Sequence, residues 1–221
     1  MFSKELNKKL DQYHLLNHPF YRSWNDGKLT REIIKDYAEQ YYQHVKAFPR
    51  YISATHSICD DIEKRRILLE NLQDEENKDG DHPKLWKNFA KALGADEKEI
   101  EKVKLDWFTK DMIDNFFTQA RKSYAEGLAS LYTYERQIPE IAETKIQGLK
   151  KFYGVNSKEG LEFFEAHKSA DVIHRAECEK LLDGLSKEEQ EKAETASLLT
   201  ARYLWNFLSG MTTKHNLRAA A

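Results

Sequence analysis

The side chains best suited to chemistry in this sequence are His167, Asp171 and His174, which are spaced i, i+4 and i+7. On a helix that turns by about 100° per residue, all three lie on one face. That face is otherwise apolar and includes Phe163, Phe164, Ala170, Cys178 and Leu181. Burying imidazole and carboxylate groups there costs several kcal/mol unless a partner compensates. A metal ion fits this trio best, and a buried hydrogen-bond relay without metal is the alternative.

Further metal-binding side chains interrupt apolar stripes elsewhere. Glu75 continues a stripe that reaches Leu72, although the acidic run 74–76 would also suit an exposed helix end, and His82 follows a predicted break. Glu135 lies on a second stripe. The helix should bend at that carboxylate, because Pro139 cannot donate to the carbonyl of Glu135.

The stripes together supply three carboxylates and three imidazoles from three or four helices: Glu75, His82, Glu135, His167, Asp171 and His174. Two metal ions with octahedral preferences and bridging carboxylates need about this many ligands. Because the set contains oxygen and imidazole nitrogen but no thiolate, it favours iron or manganese over structural zinc.

A lysine and several tyrosines could also take part in chemistry. Lys145 continues the stripe of Glu135, where burial would lower its pKa and make it a nucleophile. Its aliphatic stem could instead carry the amine to solvent. The residues alone favour this second alternative. A second polar stripe supplies either redox-active phenols or ordinary core aromatics. It consists of Tyr37, Tyr41, His44, Phe48 and Tyr51, and Tyr21 precedes it.

Composition places these residues in one large domain. The chain has 221 residues, no linker-like segment and a net charge of −2 with both signs interspersed, which speaks against a nucleic-acid surface. Two distant cysteines indicate a reducing compartment. The sequence shows neither the pattern of a signal peptide nor that of a membrane span. We therefore expect a cytoplasmic protein without membrane association. We expect a domain over 1–210 and a flexible tail over 211–221.

Nearly every window shows helical periodicity, and only four prolines and nine glycines interrupt it, so the sequence predicts an all-α bundle. Cap residues and glycine stops set the expected boundaries. The predicted helices span about 3–15, 30–57, 59–76, 82–93, 96–104, 110–152 with a proline interruption, 157–183 and 186–209.

Several segments in this order resemble the family of the Chlamydia protein associating with death domains, from about residue 13 to 182. They are His18-Pro-Phe-Tyr21, Ile52-Ser-Ala-Thr-His-Ser57, Asp74-Glu-Glu-Asn77 with His82, Tyr134-Glu135, Lys145-Ile-Gln-Gly148 and Ala170-Asp-Val-Ile-His174. The resemblance implies a single-domain, seven-helix haem-oxygenase-like bundle, related to pyrroloquinoline-quinone synthases and thiaminase-like proteins. It places a dinuclear metal site on the same six ligands, tyrosines near the cofactor at Tyr21, Tyr37 and Tyr134, and a special lysine at Lys145.

The chemistry that this resemblance implies is para-aminobenzoate synthesis for folate, in which the protein consumes itself. Dioxygen, an iron or mixed manganese–iron centre and an external reductant would cleave Tyr21 to give the ring, and Lys145 would supply the amino group. Tyr37 and Tyr134 would assist or relay a radical. A reaction on a tethered residue needs only a side chain held near the oxidant.

The resemblance also bears on partners. It implies death-domain proteins of a host as partners, without locating their binding on particular residues. A homodimer is expected, and export to a host cell is left open. One alternative function is a quinone-forming oxidase acting on a small molecule, which would need a basic substrate pocket in place of the metal ligands; the six ligand positions speak against it. The other is a helical interaction module whose metal is only structural.

Overall fold

The protein is all-α. The computed structural model describes residues 1–78 and 80–217, and for 169–172 it describes the backbone only. In these residues there are eleven α-helices and no strand. The helices are α1 (Phe2–Leu10), α2 (Pro19–Asn25), α3 (Arg31–Ser57), α4 (Ile62–Glu75), α5 (His82–Ala92), α6 (Glu97–Lys102), α7 (Trp107–Lys122), α8 (Tyr124–Glu135), α9 (Ile138–Phe152), α10 (Lys158–Asp183) and α11 (Lys187–Lys214). The predicted fold class is confirmed, with more helical segments than the seven expected.

The helix predicted over 110–152 is three helices, which corrects the sequence interpretation. A break between Glu135 and Ile138 accompanies Pro139, as expected. A second break occurs at Ser123, whose backbone is extended and whose hydroxyl accepts from the backbone N–H of Glu126. Serine at a helix start competes with helix propagation, and periodicity alone does not detect such a break.

A short helix that the sequence analysis missed, α2, carries Tyr21. His18 stands at its N-cap and Pro19 occupies its first turn. Proline suits that position because it has no N–H to leave unsatisfied. The first helix is shorter than the predicted 3–15, because it ends at Leu10 and short 3-10 turns follow.

The predicted tail over 211–221 is wrong for the part that the structure describes. Helix α11 continues to Lys214, and Met211 is completely buried. Lys214 forms ion pairs with Asp36 and Asp106, while His215 pairs with Asp36. These contacts fix the end of α11 to the starts of α3 and α7. Residues 218–221 lie outside the described part of the chain.

Helices α3, α4, α5, α8, α9 and α10 surround the predicted functional residues, and α11 packs on α7 and α8. Trp86 on α5 is fully buried and donates its indole N–H to the carbonyl of Ala38 on α3, at 2.7 Å. The aromatic interior of the bundle thus joins α5 to α3 where the site lies. None of the helices in the described ranges is long and apolar enough to cross a membrane.

Candidate active site

Three of the predicted ligands meet in the interior of the bundle. Glu75 ends α4, His82 begins α5, and His167 lies on α10. One ligand atom from each lies within 4.8 Å of the others, and all three side chains are buried. His82 Nδ1 is 2.8 Å from Glu75 Oε2, and His167 Nε2 is 4.0 Å from Glu75 Oε1. Glu75 thus belongs to a buried site, and the exposed helix end considered for it is wrong.

The protonation state of His167 suits metal binding. Its Nδ1 lies 2.7 Å from the backbone carbonyl of Phe163. A carbonyl only accepts, so Nδ1 must carry the proton and Nε2 must present its lone pair towards Glu75. Burial holds the pKa of His167 well below its usual value, so the ring stays neutral. A carboxylate and two imidazoles in this arrangement could hold a metal ion.

The other predicted ligands have different described contacts. Glu135 accepts a hydrogen bond from Asn71 Nδ2 at 2.7 Å, and the Cys178 thiol lies 3.7 Å from its other oxygen. His174 Nε2 is 3.1 Å from Asp74 Oδ2. The side chain of Asp171 lies outside the described residues. The last two turns of α4 therefore meet α5, α8 and α10 through successive polar contacts.

The lysine does not reach solvent, so the snorkelling interpretation is wrong. Lys145 is 4% exposed, and its amine donates to the Tyr37 hydroxyl at 2.7 Å. The hydroxyls of Tyr37 and Tyr21 are 3.1 Å apart. Burial lowers the pKa of Lys145 to about 7, which leaves a large neutral fraction at neutral pH.

Aromatic rings enclose the amine. Five ring centroids lie 5.0 to 5.6 Å from Lys145 Nζ, those of Tyr21, Tyr37, Tyr41, Trp86 and Phe164. Burial raises the pKa of the phenols of Tyr21 and Tyr37 far above the usual value. These phenols therefore stay protonated, and any oxidation of them must also remove a proton.

A small cavity joins the two clusters. It offers about 20 Å³ to a water-sized molecule. Its walls include His167 from the ligand group and Lys145 from the amine cluster, together with Tyr21, Tyr41 and Tyr134. The remaining walls are apolar and include Ile138, Ile141 and Phe163. One small molecule such as dioxygen or water fits between the ligands and the phenols.

Sequence reasoning missed two residues that contact the elements of this site: Asn71, which donates to Glu135, and His18, which caps the helix of Tyr21. Asn71 lies four residues before Glu75 and therefore on the same face of α4, a spacing that could have revealed it. His18 caps α2, but histidine is not among the usual N-cap residues, so it carried no such signal.

Comparisons with known proteins agree with this architecture. A family model described as TENA/THI-4/PQQC matches residues 3–214. The 4-aminobenzoate synthase of Chlamydia muridarum is 41% identical over 208 residues, covering 94% of this chain and 88% of that protein. The 4-aminobenzoate synthase of Nitrosomonas europaea is 39% identical over 224 residues, covering 95% of this chain and 90% of that protein.

A solved structure from Shewanella denitrificans, described as a domain of unknown function with a heme oxygenase-like fold, superposes with a TM-score of 0.81. It is 16% identical and covers 99% of this chain and 94% of its own. The class that fold and site define is thus a haem-oxygenase-like helical protein with a buried group able to hold metal. The chain belongs to the TENA/THI-4/PQQC family.

Proposed function

We propose that this protein makes 4-aminobenzoate from its own Tyr21 and takes the nitrogen from Lys145. The Cα–Cβ bond of Tyr21 would break, so that the ring and Cβ become the benzoate, and the Lys145 nitrogen would leave Cε and replace the phenol oxygen on the ring. Dioxygen would be the oxidant, and an external reductant would supply the remaining electrons. The observation that carries the proposal is the buried hydrogen-bonded series Lys145, Tyr37 and Tyr21, beside a cavity that His167 also lines. The two relatives at 41% and 39% identity, both named 4-aminobenzoate synthase, support the product.

The size of the cavity supports a substrate that belongs to the protein. A space of about 20 Å³ is far smaller than the roughly 150 Å³ cavity that holds benzene in a protein interior. The ring of Tyr21 already lies in the cavity wall, so no free aromatic molecule has to enter. A quinone-forming oxidase would need a pocket for its substrate, which this space does not provide.

The proposed cofactor is two metal ions, iron or a manganese–iron pair. The six predicted ligands would hold them, and Glu75, His82 and His167 are the three whose ligand atoms lie within 4.8 Å of one another. When bound, the metals would supply dioxygen activation, with an external reductant completing the electron balance.

The protein's own side chains would prepare the reaction. Burial keeps a large fraction of Lys145 as a neutral amine whose lone pair can form a bond. Tyr37 lies between amine and substrate phenol and can pass a proton between them, while Tyr134 lines the cavity as an assisting phenol. Trp86 and Phe164 exclude bulk water from the amine.

Isotope labelling tests the source of the product. Protein containing ring-13C tyrosine or ε-15N lysine is loaded with iron and manganese and exposed to dioxygen and a reductant. We expect 4-aminobenzoate carrying the full ring label or the nitrogen label, measured by mass spectrometry, in at most about one equivalent per chain. Product without label would refute the self-sacrificing origin.

Two matched substitutions control this experiment. Tyr21→Phe should abolish product, whereas Tyr13→Phe should not, because Tyr13 does not line the cavity and its hydroxyl accepts from Arg202. Lys145→Met should abolish product, whereas Lys150→Met on the same helix should not, since Lys150 is half exposed and faces Glu165.

A homodimer, death-domain partners, cytoplasmic location and export stay predictions.

A further inference from the structure

The third turn of α4 places an amide beside the ligand group. Asn71 lies four residues before Glu75, so the two side chains share one face of the helix. Asn71 is 4% exposed. A buried amide in the wall of a bundle costs free energy unless it makes hydrogen bonds, so its partners indicate why it is there.

The partner of Asn71 is the carboxylate of Glu135, on the facing helix α8. Asn71 Nδ2 donates to Glu135 Oε1 at 2.7 Å, at the short end of the usual range for N–H···O bonds. The thiol of Cys178 lies 3.7 Å from Oε2 and is a much weaker donor. Of these two described contacts, the amide is the stronger donor, and it fixes the position of Oε1.

The second polar atom of Asn71 also indicates a ligand. Among the described residues, its Oδ1 is buried and accepts no hydrogen bond. An acceptor in this position can be satisfied by a water molecule bound at the neighbouring metal centre. The amide would thus orient a ligand carboxylate with its N–H and a bound water with its oxygen.

We propose that Asn71 is a positioning residue that holds Glu135 in the orientation required for metal binding. The inference rests on the proposed metal centre and adds a residue to it. A neutral amide is the suitable group here, because it donates to the carboxylate without adding charge that would compete with the metal. An aspartate of the same shape would instead repel Glu135.

Metal titration of intact protein tests the inference without measuring product. Mn²⁺ binding to metal-free protein is measured by competition with a fluorescent chelator, and Fe²⁺ binding is measured without oxygen. We expect Asn71→Ala and Asn71→Asp to weaken the binding of at least one of the two metals by roughly 10- to 100-fold. Asn115→Ala is the matched control, because Asn115 is a buried amide that donates to Thr200 away from the site.

The outcomes separate this inference from the proposed function. Wild-type affinity in both Asn71 variants would overturn it, and so would an equal loss in Asn115→Ala, which would mean that general packing controls binding. Circular dichroism establishes that each variant is folded, and Asn71→Asp preserves side-chain shape if Asn71→Ala does not fold. One result would support the positioning role while the proposed function fails: wild-type protein binds two metals, the Asn71 variants bind fewer, and no 4-aminobenzoate forms. A wild-type chain that binds no metal would overturn both.

Discussion

At the residue scale, burial changes what ordinary side chains can do. The amine of Lys145 lies among five aromatic rings and near no described carboxylate that would stabilise its charge, so desolvation is the cause that lowers its pKa. The imidazole of His167 is kept neutral by the same effect and oriented by one backbone carbonyl. Burial thereby leaves Lys145 with a large neutral fraction and gives His167 a neutral ring that could bind a metal ion.

The lowered pKa of Lys145 can be measured directly in metal-free protein. In an NMR titration with ε-13C lysine, one resonance should titrate near pH 7, well below the usual lysine value of 10.5, and this resonance should disappear in Lys145→Met. A Lys145 resonance that titrates with the others would contradict the burial argument.

The same shift has a consequence for stability. Between the folded pKa of about 7 and the unfolded value of 10.5, the unfolded chain binds a proton that the folded chain has released. The penalty for burying Lys145 is therefore complete below this range and fades as pH rises through it. The free energy of unfolding of the wild type, measured relative to that of Lys145→Met, should increase by roughly 4 kcal/mol as the pH rises across this range.

At the element scale, the short helix α2 determines where the proposed substrate ring lies. Its N-cap residue His18 accepts from the backbone N–H of Phe20 through Nδ1, at 3.1 Å. Nε2 must therefore carry the proton and donate to Ser209 on α11, at 3.0 Å. Burial lowers the pKa of His18 to about 4, so this neutral tautomer persists at neutral pH. The helix with Tyr21 is thus capped and attached to α11 by one ring.

Replacing that ring should misplace Tyr21. We expect His18→Ala to reduce the yield of 4-aminobenzoate by about tenfold or more, because small displacements of a reacting group carry large costs. Asn is a good N-cap residue, so His18→Asn should recover part of the yield. Metal content should be unchanged in both variants, which separates positioning from loss of the metal centre; full yield in His18→Ala would refute the role.

At the scale of the whole molecule, the C-terminal helix closes the bundle over α7 and α8. Gly210 allows this contact, since a Cβ there would lie 2.2 Å from the ring of Phe108. Met211 is buried one residue later, and the ion pairs of Lys214 and His215 follow. The last turns of α11 therefore belong to the folded domain.

Truncating a side chain in this region measures its contribution. Met211→Ala should lower the free energy of unfolding by about 2–5 kcal/mol, because it removes fully buried methylene groups and leaves a cavity. Lys214→Ala is the comparison: its ion pairs are partly exposed, so its loss should cost about 1 kcal/mol or less. Urea denaturation gives both values, and equal small effects would mean that the end of α11 is not part of the core.

The sequence by itself determined the all-α class, most helix boundaries and the kinds of ligand available, because helical periodicity and capping are local properties that neighbouring residues specify. The i, i+4 spacing also predicted which polar groups share a helix face. It could not show that Lys145 is buried, since a lysine on an apolar stripe can lie either way. Only the tertiary structure decided that Asn71 meets Glu135 across two helices, that α2 carries Tyr21 to the amine, and that the cavity holds just one small molecule. Those features depend on how distant helices pack, and no local spacing in the chain encodes that packing.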